Sequence, residues 1–269
     1  NQVGLVISAS HNLFEDNGIK FFNKDGQKFS VELEKRIETK LTQEMVAVES
    51  INLGKASRMN DPQARYIDFC KSTFNSLDLN GLSILLDCAN GATYSVAPKV
   101  FSDLGARVET IGSSPDGINI NQNCGSTSPN FLKEEIMKGS YDIGIAFDGD
   151  GDRILIINSD GKILDGDDIL YILSKNISPD TGVVGTLMTN KALEQYFKKN
   201  DIPFLRAEVG DKYVLHKLIE KSWVLGGEPS GHVICLDCAP TGDAIIAALK
   251  LLHAIKDNNF SLKKSLAGF

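Results

Sequence analysis

Two short stretches hold the residue types from which a reactive centre can be built. Ser8-Ala9-Ser10-His11-Asn12 follows the apolar run Val3-Gly4-Leu5-Val6-Ile7, and Asp148-Gly149-Asp150-Gly151-Asp152-Arg153 follows another, Ile143 to Phe147. Three carboxylates at alternate positions can converge on one hard cation, and the glycines between them let the backbone curl around it. Oxygen-only ligation favours Mg²⁺ or a similar ion over zinc. Calcium held as in an EF-hand is excluded by register. Counting from Asp148, the sixth position holds Arg153 instead of glycine, and the twelfth holds Ser159 instead of glutamate.

The serine stretch invites a hydrolase reading, but a nucleophile elbow needs G-x-S-x-G, and Ser8 and Asn12 stand where its glycines belong. Adjacent side chains on an extended segment point apart, so His11 need not be the base for Ser10. Taken alone, the pentapeptide reads equally well as a plain turn at the end of a buried strand. Gly226-Gly227-Glu228-Pro229-Ser230-Gly231-His232 is a third candidate loop, offering a carboxylate, a hydroxyl and an imidazole that suit sugar hydroxyls. The opening Phe147-Asp148-Gly149-Asp150 also resembles the D-x-D-x-[TV] signature of haloacid-dehalogenase-like phosphatases, with Asp148 as nucleophile. Asp152 stands where that signature needs threonine or valine, and the reading leaves Ser10 unexplained.

The elements that must position these loops alternate in type, which predicts an α/β chain. Strands are expected at Leu5 to Ala9, Ser83 to Asp87, Arg107 to Ile111 and Tyr141 to Phe147. Further strands are expected at Gly182 to Met188, Phe204 to Glu208, Trp223 to Gly226 and Val233 to Leu236. Ser30 is a natural cap for a helix from Val31 to Met45, and Asp61-Pro62 for one reaching Ser76. Other helices fit at 95–104, 130–137, 168–174, 191–199, 212–221 and 243–255. The polar stretch from Asn52 to Asn60 reads as a linker. Residues 58–164 and 165–269 then read as two successive α/β domains, preceded by residues 1–57.

A net charge of −7 and a pI near 5.2 argue against a nucleic-acid or anionic-membrane binder. No stretch approaches the ~20 apolar residues that span a bilayer. The five cysteines, Cys70, Cys88, Cys124, Cys235 and Cys238, form an odd, scattered set, as expected of reduced thiols in a cytoplasmic protein. Cys235-Leu236-Asp237-Cys238 is a C-x-x-C without the second pair that a zinc site would want.

Together the stretches resemble the α-D-phosphohexomutase family. The resemblance rests on Ser8 to Asn12 with Asp16-Asn17-Gly18-Ile19-Lys20, on Asp87-Cys88-Ala89-Asn90-Gly91-Ala92, and on Asp148 to Arg153. It continues through Val209-Gly210-Asp211-Lys212-Tyr213, Gly227 to His232 and Thr241-Gly242-Asp243. It implies consecutive α/β domains with mixed sheets flanked by helices. Ser10 would carry a phosphoryl group, with Asp148, Asp150 and Asp152 holding Mg²⁺ against a phosphoserine oxygen. Arg153 would balance phosphoryl charge, and Lys20, provided its pKa is lowered, would serve as general acid or base, with His11 beside Ser10 in the catalytic set. Glu228, Ser230, His232 and Lys212 would bind the substrate, a small hexosamine or hexose phosphate.

The implied reaction moves phosphate between C6 and C1 through a 1,6-bisphosphate. Asp16 to Phe22 tips the choice to glucosamine phosphate, with glucose or mannose phosphate as the alternative. Leu13 stands where the family usually has proline, Pro229 where the amino-sugar members have glutamine, and Lys212 where arginine is usual, which keeps charge but loses the planar fork. The family's fourth domain, with its R-x-S-G-T-E loop, is not matched before Phe269, and most of the first is not matched ahead of Asn1. The resemblance thus implies that residues 1–57 are the C-terminal part of the first domain and that this chain mutates sugar phosphates poorly or not at all, as a monomer or homodimer.

Overall fold

The computed structural model describes residues 3–268. Its first unit is a two-stranded antiparallel sheet of β1 (Gly4–Ser8) and β2 (Gly18–Phe22), paired from Gly4↔Phe22 to Ser8↔Gly18. Helix α1 (Val31–Leu41) follows, its first turn capped by the Ser30 hydroxyl, which accepts from the Leu33 N–H. The expected extension to Met45 is not made. Residues 42–60 carry only a 3₁₀ turn at Ser50–Asn52. Met45, Val46 and Val48 are exposed, so no packing offsets the cost of ordering more helix.

Helix α2 (Pro62–Thr73) starts at the Asp61 cap. The second sheet then assembles from β3 (Ser83–Asp87), α3 (Ala97–Asp103), β4 (Arg107–Ile111), α4 (Asn130–Lys138), β5 (Ile143–Phe147), β6 (Ile154–Asn158) and β7 (Ile163–Leu164). Its order is β4-β3-β5-β6-β7, parallel across the first three strands and antiparallel beyond. Every residue of β3 and β5 is buried, as strands covered by helices on both faces must be. The third sheet uses α5 (Gly166–Ser174), β8 (Val183–Thr186), α6 (Lys191–Lys199), β9 (Phe204–Ala207), α7 (Asp211–Lys221), β10 (Leu225–Gly227), β11 (Val233–Cys235) and α8 (Ala244–Ile255). Its order is β11-β10-β8-β9, with only β11 antiparallel.

Two expectations change. The strand holding the serine stretch is not buried: Leu5 and Ile7 are 62% and 75% exposed. Its only strand partner among the described residues is β2; the apolar side chains of β1 stay exposed, while Ser8 and Lys20 turn to the Asp150 carboxylate. Strands β2, β6 and β7 were also not expected, and β2 and β6 explain the site. Each candidate loop is the tip of an antiparallel hairpin: residues 9–17 join β1 to β2, 148–153 join β5 to β6, and 228–232 join β10 to β11.

The second and third tips are joined directly. Ile154 N–H donates to Gly231 O at 3.0 Å, and Arg153 and His232 form an antiparallel bridge. Gly231 has φ +89°, and a Cβ there would lie 2.0 Å from Ile154 O. Gly231→Ala therefore meets both backbone strain and a backbone clash. It should cost on the order of 3 kcal/mol, or about 5–10 °C in thermal melting; an unchanged melt would contradict this packing.

Candidate functional site

Ser10 is not extended. Its φ is +53°, in the left-handed region that costs a residue with a Cβ about 1–2 kcal/mol. That conformation turns its hydroxyl to within 3.3 Å of His11 Nδ1, so the expectation that the two side chains point apart is overturned. Hydrogen bonds hold both sides of the serine. Ser10 N–H donates to Ser8 Oγ at 2.8 Å, and Ser10 O accepts from the Asn121 amide at 2.8 Å. Ser8 Oγ in turn donates to Asp150 Oδ2 at 2.9 Å, which ties the serine loop to the aspartate loop. Gly149 has no room for a side chain, since a Cβ would lie 2.5 Å from Ser10 O.

The aspartates converge as their spacing suggested. Oxygens of Asp148, Asp150 and Asp152 lie within 4.8 Å of one another. Asp148 Oδ1 accepts the N–H groups of Asp152 and Arg153, both at 3.0 Å, which shapes the loop. Asp148 Oδ2, Asp150 Oδ1 and Asp152 Oδ1 are buried without a hydrogen-bond partner. Orphaned buried carboxylate oxygens are costly, and such oxygens within one tight cluster of three carboxylates fit a cation. Burial, followed by the charges of Asp152 and Asp150, pushes the Asp148 carboxyl up to about 7. Burial acts upward on Asp152 as well, but His232, Lys20 and Arg153 outweigh it and hold that carboxyl well below the usual range.

Lys20, on β2, forms an ion pair with Asp150 and lies 3.6 Å from Asp152. Burial works to lower its pKa, but the Asp150 contact and the other aspartates prevail, and the ammonium is raised instead. While no cation neutralises these carboxylates, the Lys20 ammonium is thus favoured, whereas the resemblance required a lowered lysine. His11 is lowered, first by burial and then by Arg153, which favours a neutral imidazole beside Ser10.

Ser10, Lys20, Asp152, Arg153, Glu228, Ser230 and His232 line one cleft of about 520 Å³. Glu228 spends one oxygen on Gly210 N–H at 2.9 Å, which anchors the turn before α7. His232 is buried, with Nδ1 3.5 Å from Asp152 and Nε2 3.9 Å from Asp211, so it supports the aspartate loop as well as facing the cleft. Lys212 does not line the cleft; it is exposed, with its ammonium 5.2 Å from the Tyr213 ring centre. Its neighbour Asp211 takes the inward position and pairs with Lys28 across to the β1–β2 unit. Sequence reasoning missed Ser8, Lys28, Asn121 and Asp211. Ser8 and Asp211 left a signal, as members of the quoted Ser8 to Asn12 and Val209 to Tyr213 stretches, whereas Lys28 and Asn121 left none.

The C-x-x-C closes a tight turn, Cys238 N–H donating to Cys235 O at 2.8 Å. Burial pushes the Cys235 thiol up to about 12. Among the described residues the three aspartates are the only cluster of three or more potential metal ligands.

A carboxylate cluster at the tip of one hairpin, faced by a strained serine on another, defines an α/β protein with a candidate cation site. Family models cover nearly all of it: phosphoglucomutase/phosphomannomutase alpha/beta/alpha domain I over residues 1–47, domain II over 64–161 and domain III over 165–269. The chain belongs to this phosphoglucomutase/phosphomannomutase family. Phosphoglucosamine mutases of Pseudomonas entomophila and Cronobacter sakazakii are 53% and 54% identical to it, each over 99% of this chain and 61% of their own length. The chain therefore spans about three fifths of these curated relatives.

Solved structures match the fold at low identity. A phosphoglucomutase/phosphomannomutase family protein from Burkholderia thailandensis aligns with TM-score 0.77 and 22% identity, over 95% of this chain and 56% of that one. Aspergillus fumigatus N-acetylphosphoglucosamine mutase, solved with GlcNAc-6P and magnesium, aligns with TM-score 0.76 and 18% identity, over 98% and 72%.

Proposed function

We propose that this protein works as a phosphosugar mutase, interconverting glucosamine 6-phosphate and glucosamine 1-phosphate through a phosphoserine at Ser10 and a 1,6-bisphosphate. Residues 1–57, 58–164 and 165–269 serve as three domains that bring one hairpin tip each to the cleft. The carrying observation is Ser10 itself: a strained serine, pinned at both peptide groups, beside a cation-type carboxylate trio in one cleft. The relatives at 53–54% identity, all named phosphoglucosamine mutases, support the amino sugar over glucose or mannose phosphate.

Asp148, Asp150 and Asp152 would hold the ion, for which the hard oxygen set suits Mg²⁺. Bound there, it supplies charge neutralisation to the phosphoryl oxygens. The protein's own groups do the rest. When a bisphosphate meets free Ser10, the serine oxygen bonds to phosphorus and the bond from phosphorus to the sugar oxygen breaks. The hydroxyl proton passes to neutral His11, and the Lys20 ammonium protonates the departing sugar oxygen. Arg153 offers a planar fork to the phosphoryl group. Glu228 and Ser230 offer an acceptor and a hydroxyl to the sugar. The bisphosphate itself forms in the opposite half-reaction, in which phosphorylated Ser10 gives its phosphoryl group to the free hydroxyl of a sugar monophosphate and recovers its own proton. The bisphosphate then turns round, so that its other phosphate is the one passed to Ser10.

An aspartyl phosphatase is disfavoured by the geometry of Asp148, which is fully buried and has one oxygen committed to two backbone N–H groups. Single turnover tests the reading. One equivalent of glucosamine monophosphate should be released per chain from glucosamine 1,6-bisphosphate, about tenfold faster than from the glucose or mannose compounds. Continuous release of inorganic phosphate would sink it.

Because the Asp148 carboxyl lies at about 7 without an ion, cation binding must expel its proton. Mg²⁺ affinity should therefore rise by up to about tenfold per pH unit between pH ~5 and ~7 and level off above. Calorimetric titration across that range measures this, and a flat profile would contradict the assignment.

A further inference from the structure

Asn121 belongs to none of the stretches that suggested the site. It lies in the long connection between β4 and α4, far from Ser10 in sequence, and is 6% exposed. Its amide nitrogen donates twice, to Ser10 O at 2.8 Å and to Asn12 O at 2.7 Å. Only the amide nitrogen can meet two carbonyl oxygens, so the orientation of the side chain is fixed by chemistry. Its own backbone is held too: φ is +57°, and its N–H donates to Ala89 O at 2.8 Å. Gly149 fills the space beneath, where a Cβ would lie 2.7 Å from the same amide nitrogen.

We infer that Asn121 is a positioning residue for the reaction of Ser10, the clamp by which the second domain holds the serine loop in its left-handed turn. The inference rests on the reading of Ser10 as the phosphoryl carrier. Ser8 fixes the amide side of Ser10 from within the same hairpin. The carbonyl side has no such local partner and is fixed from the sheet that carries the aspartate loop. The same amide takes the Asn12 carbonyl, so it binds both flanks of His11. With the two carbonyls held, the direction of the Ser10 hydroxyl is set relative to the aspartate trio and His11. Without them, the loop is free to relax towards extended backbone, which points Ser10 away from His11. A misplacement of about 1 Å at a reacting group costs about 10²-fold in rate.

The test uses the 269-residue chain with Mg²⁺ and glucosamine 1,6-bisphosphate. Asn121→Gly keeps the left-handed backbone available and deletes only the amide. Asn121→Asp keeps the shape and tolerates the same backbone, but replaces the donor with an acceptor facing two carbonyls. Both variants should lower the maximal rate of Ser10 phosphorylation by about 10²-fold. The donor concentration for half-maximal rate and the Mg²⁺ affinity should stay within about threefold of the unaltered chain, since neither the cleft nor the carboxylates change. A merely structural residue would move melting temperature, Mg²⁺ affinity and rate together, and that pattern overturns the inference. So does a rate within threefold of the unaltered chain in Asn121→Gly. Absence of phosphate on the unaltered chain itself would remove the Ser10 reading, and the inference with it.

Discussion

Ser10→Ala is expected to abolish phosphate uptake from a hexosamine bisphosphate while leaving the fold and the carboxylate cluster in place. The serine oxygen is the atom to which phosphorus must bond, so its removal is expected to cost the whole signal, at least about 10³-fold. Nothing else in the molecule depends on that hydroxyl. Its one side-chain contact is His11 Nδ1, and the hydrogen bonds that hold the loop run through the Ser10 N–H and carbonyl. Alanine at φ +53° is disfavoured much as serine is, so melting temperature should change little. Radiolabel incorporation and thermal melting, run side by side, check both halves. Undiminished labelling of the variant would mean that phosphate goes elsewhere.

The second large effect is on the cation and has opposite signs for binding and for stability. Asp148→Asn should lower Mg²⁺ affinity by about 10²-fold or more by removing one of three charged ligands. The same change should stabilise the ion-free chain. The Asp148 carboxyl is raised from 3.8 to about 7, because ionising it in a buried place beside two other carboxylates is unfavourable. An acid raised on folding leaves the fold unburdened below its unfolded value and burdens it increasingly as pH climbs towards the folded one. Asp148 should thus contribute a fall in ion-free stability between about pH 4 and pH 7, and Asp148→Asn should lack that contribution while keeping those of other raised carboxyls such as Asp167. At pH 8 the difference should be on the order of 3 kcal/mol in favour of the variant. Asparagine Oδ1 can still accept the Asp152 and Arg153 N–H groups. Denaturant melts with a chelator at pH 4 and pH 8, together with Mg²⁺ titration, measure both. A variant less stable at pH 8 that binds Mg²⁺ as before would contradict this account of the loop.

Much of this site could be read from residue order alone, because its pieces are local. The Asp-Gly-Asp-Gly-Asp spacing already states that three carboxylates share one turn, and the three unpartnered oxygens agree with it. Helix starts at Ser30 and Asp61 were legible because a cap and its first turn are neighbours in sequence. Strand β6 was passed over because Ile154 to Asn158 follows an acidic loop so closely that only its pairing with β5 reveals a strand. The exposure of β1 was hidden because an apolar run looks the same whether or not something covers it.

What failed was long-range or conformational. Ser10 gives no hint of a left-handed backbone, as a glycine would, so its contact with His11 was misjudged. Lys20 was expected to need a lowered pKa, and its ion pair with Asp150, across a large sequence separation, raises it instead. The resemblance implied Lys212 as a substrate ligand, yet Asp211 in the first turn of α7 lines the cleft and Lys212 is exposed. Asn121 carried no motif at all; only the packing of one hairpin against another discloses it.

The measurement closest to the central claim is a phosphopeptide map of the chain after incubation with Mg²⁺ and glucosamine 1,6-bisphosphate. Acid-stable phosphate on the peptide containing Ser10 is the predicted result. Hydroxylamine-labile phosphate on the peptide containing Asp148 would contradict it and assign the chemistry to the aspartate loop.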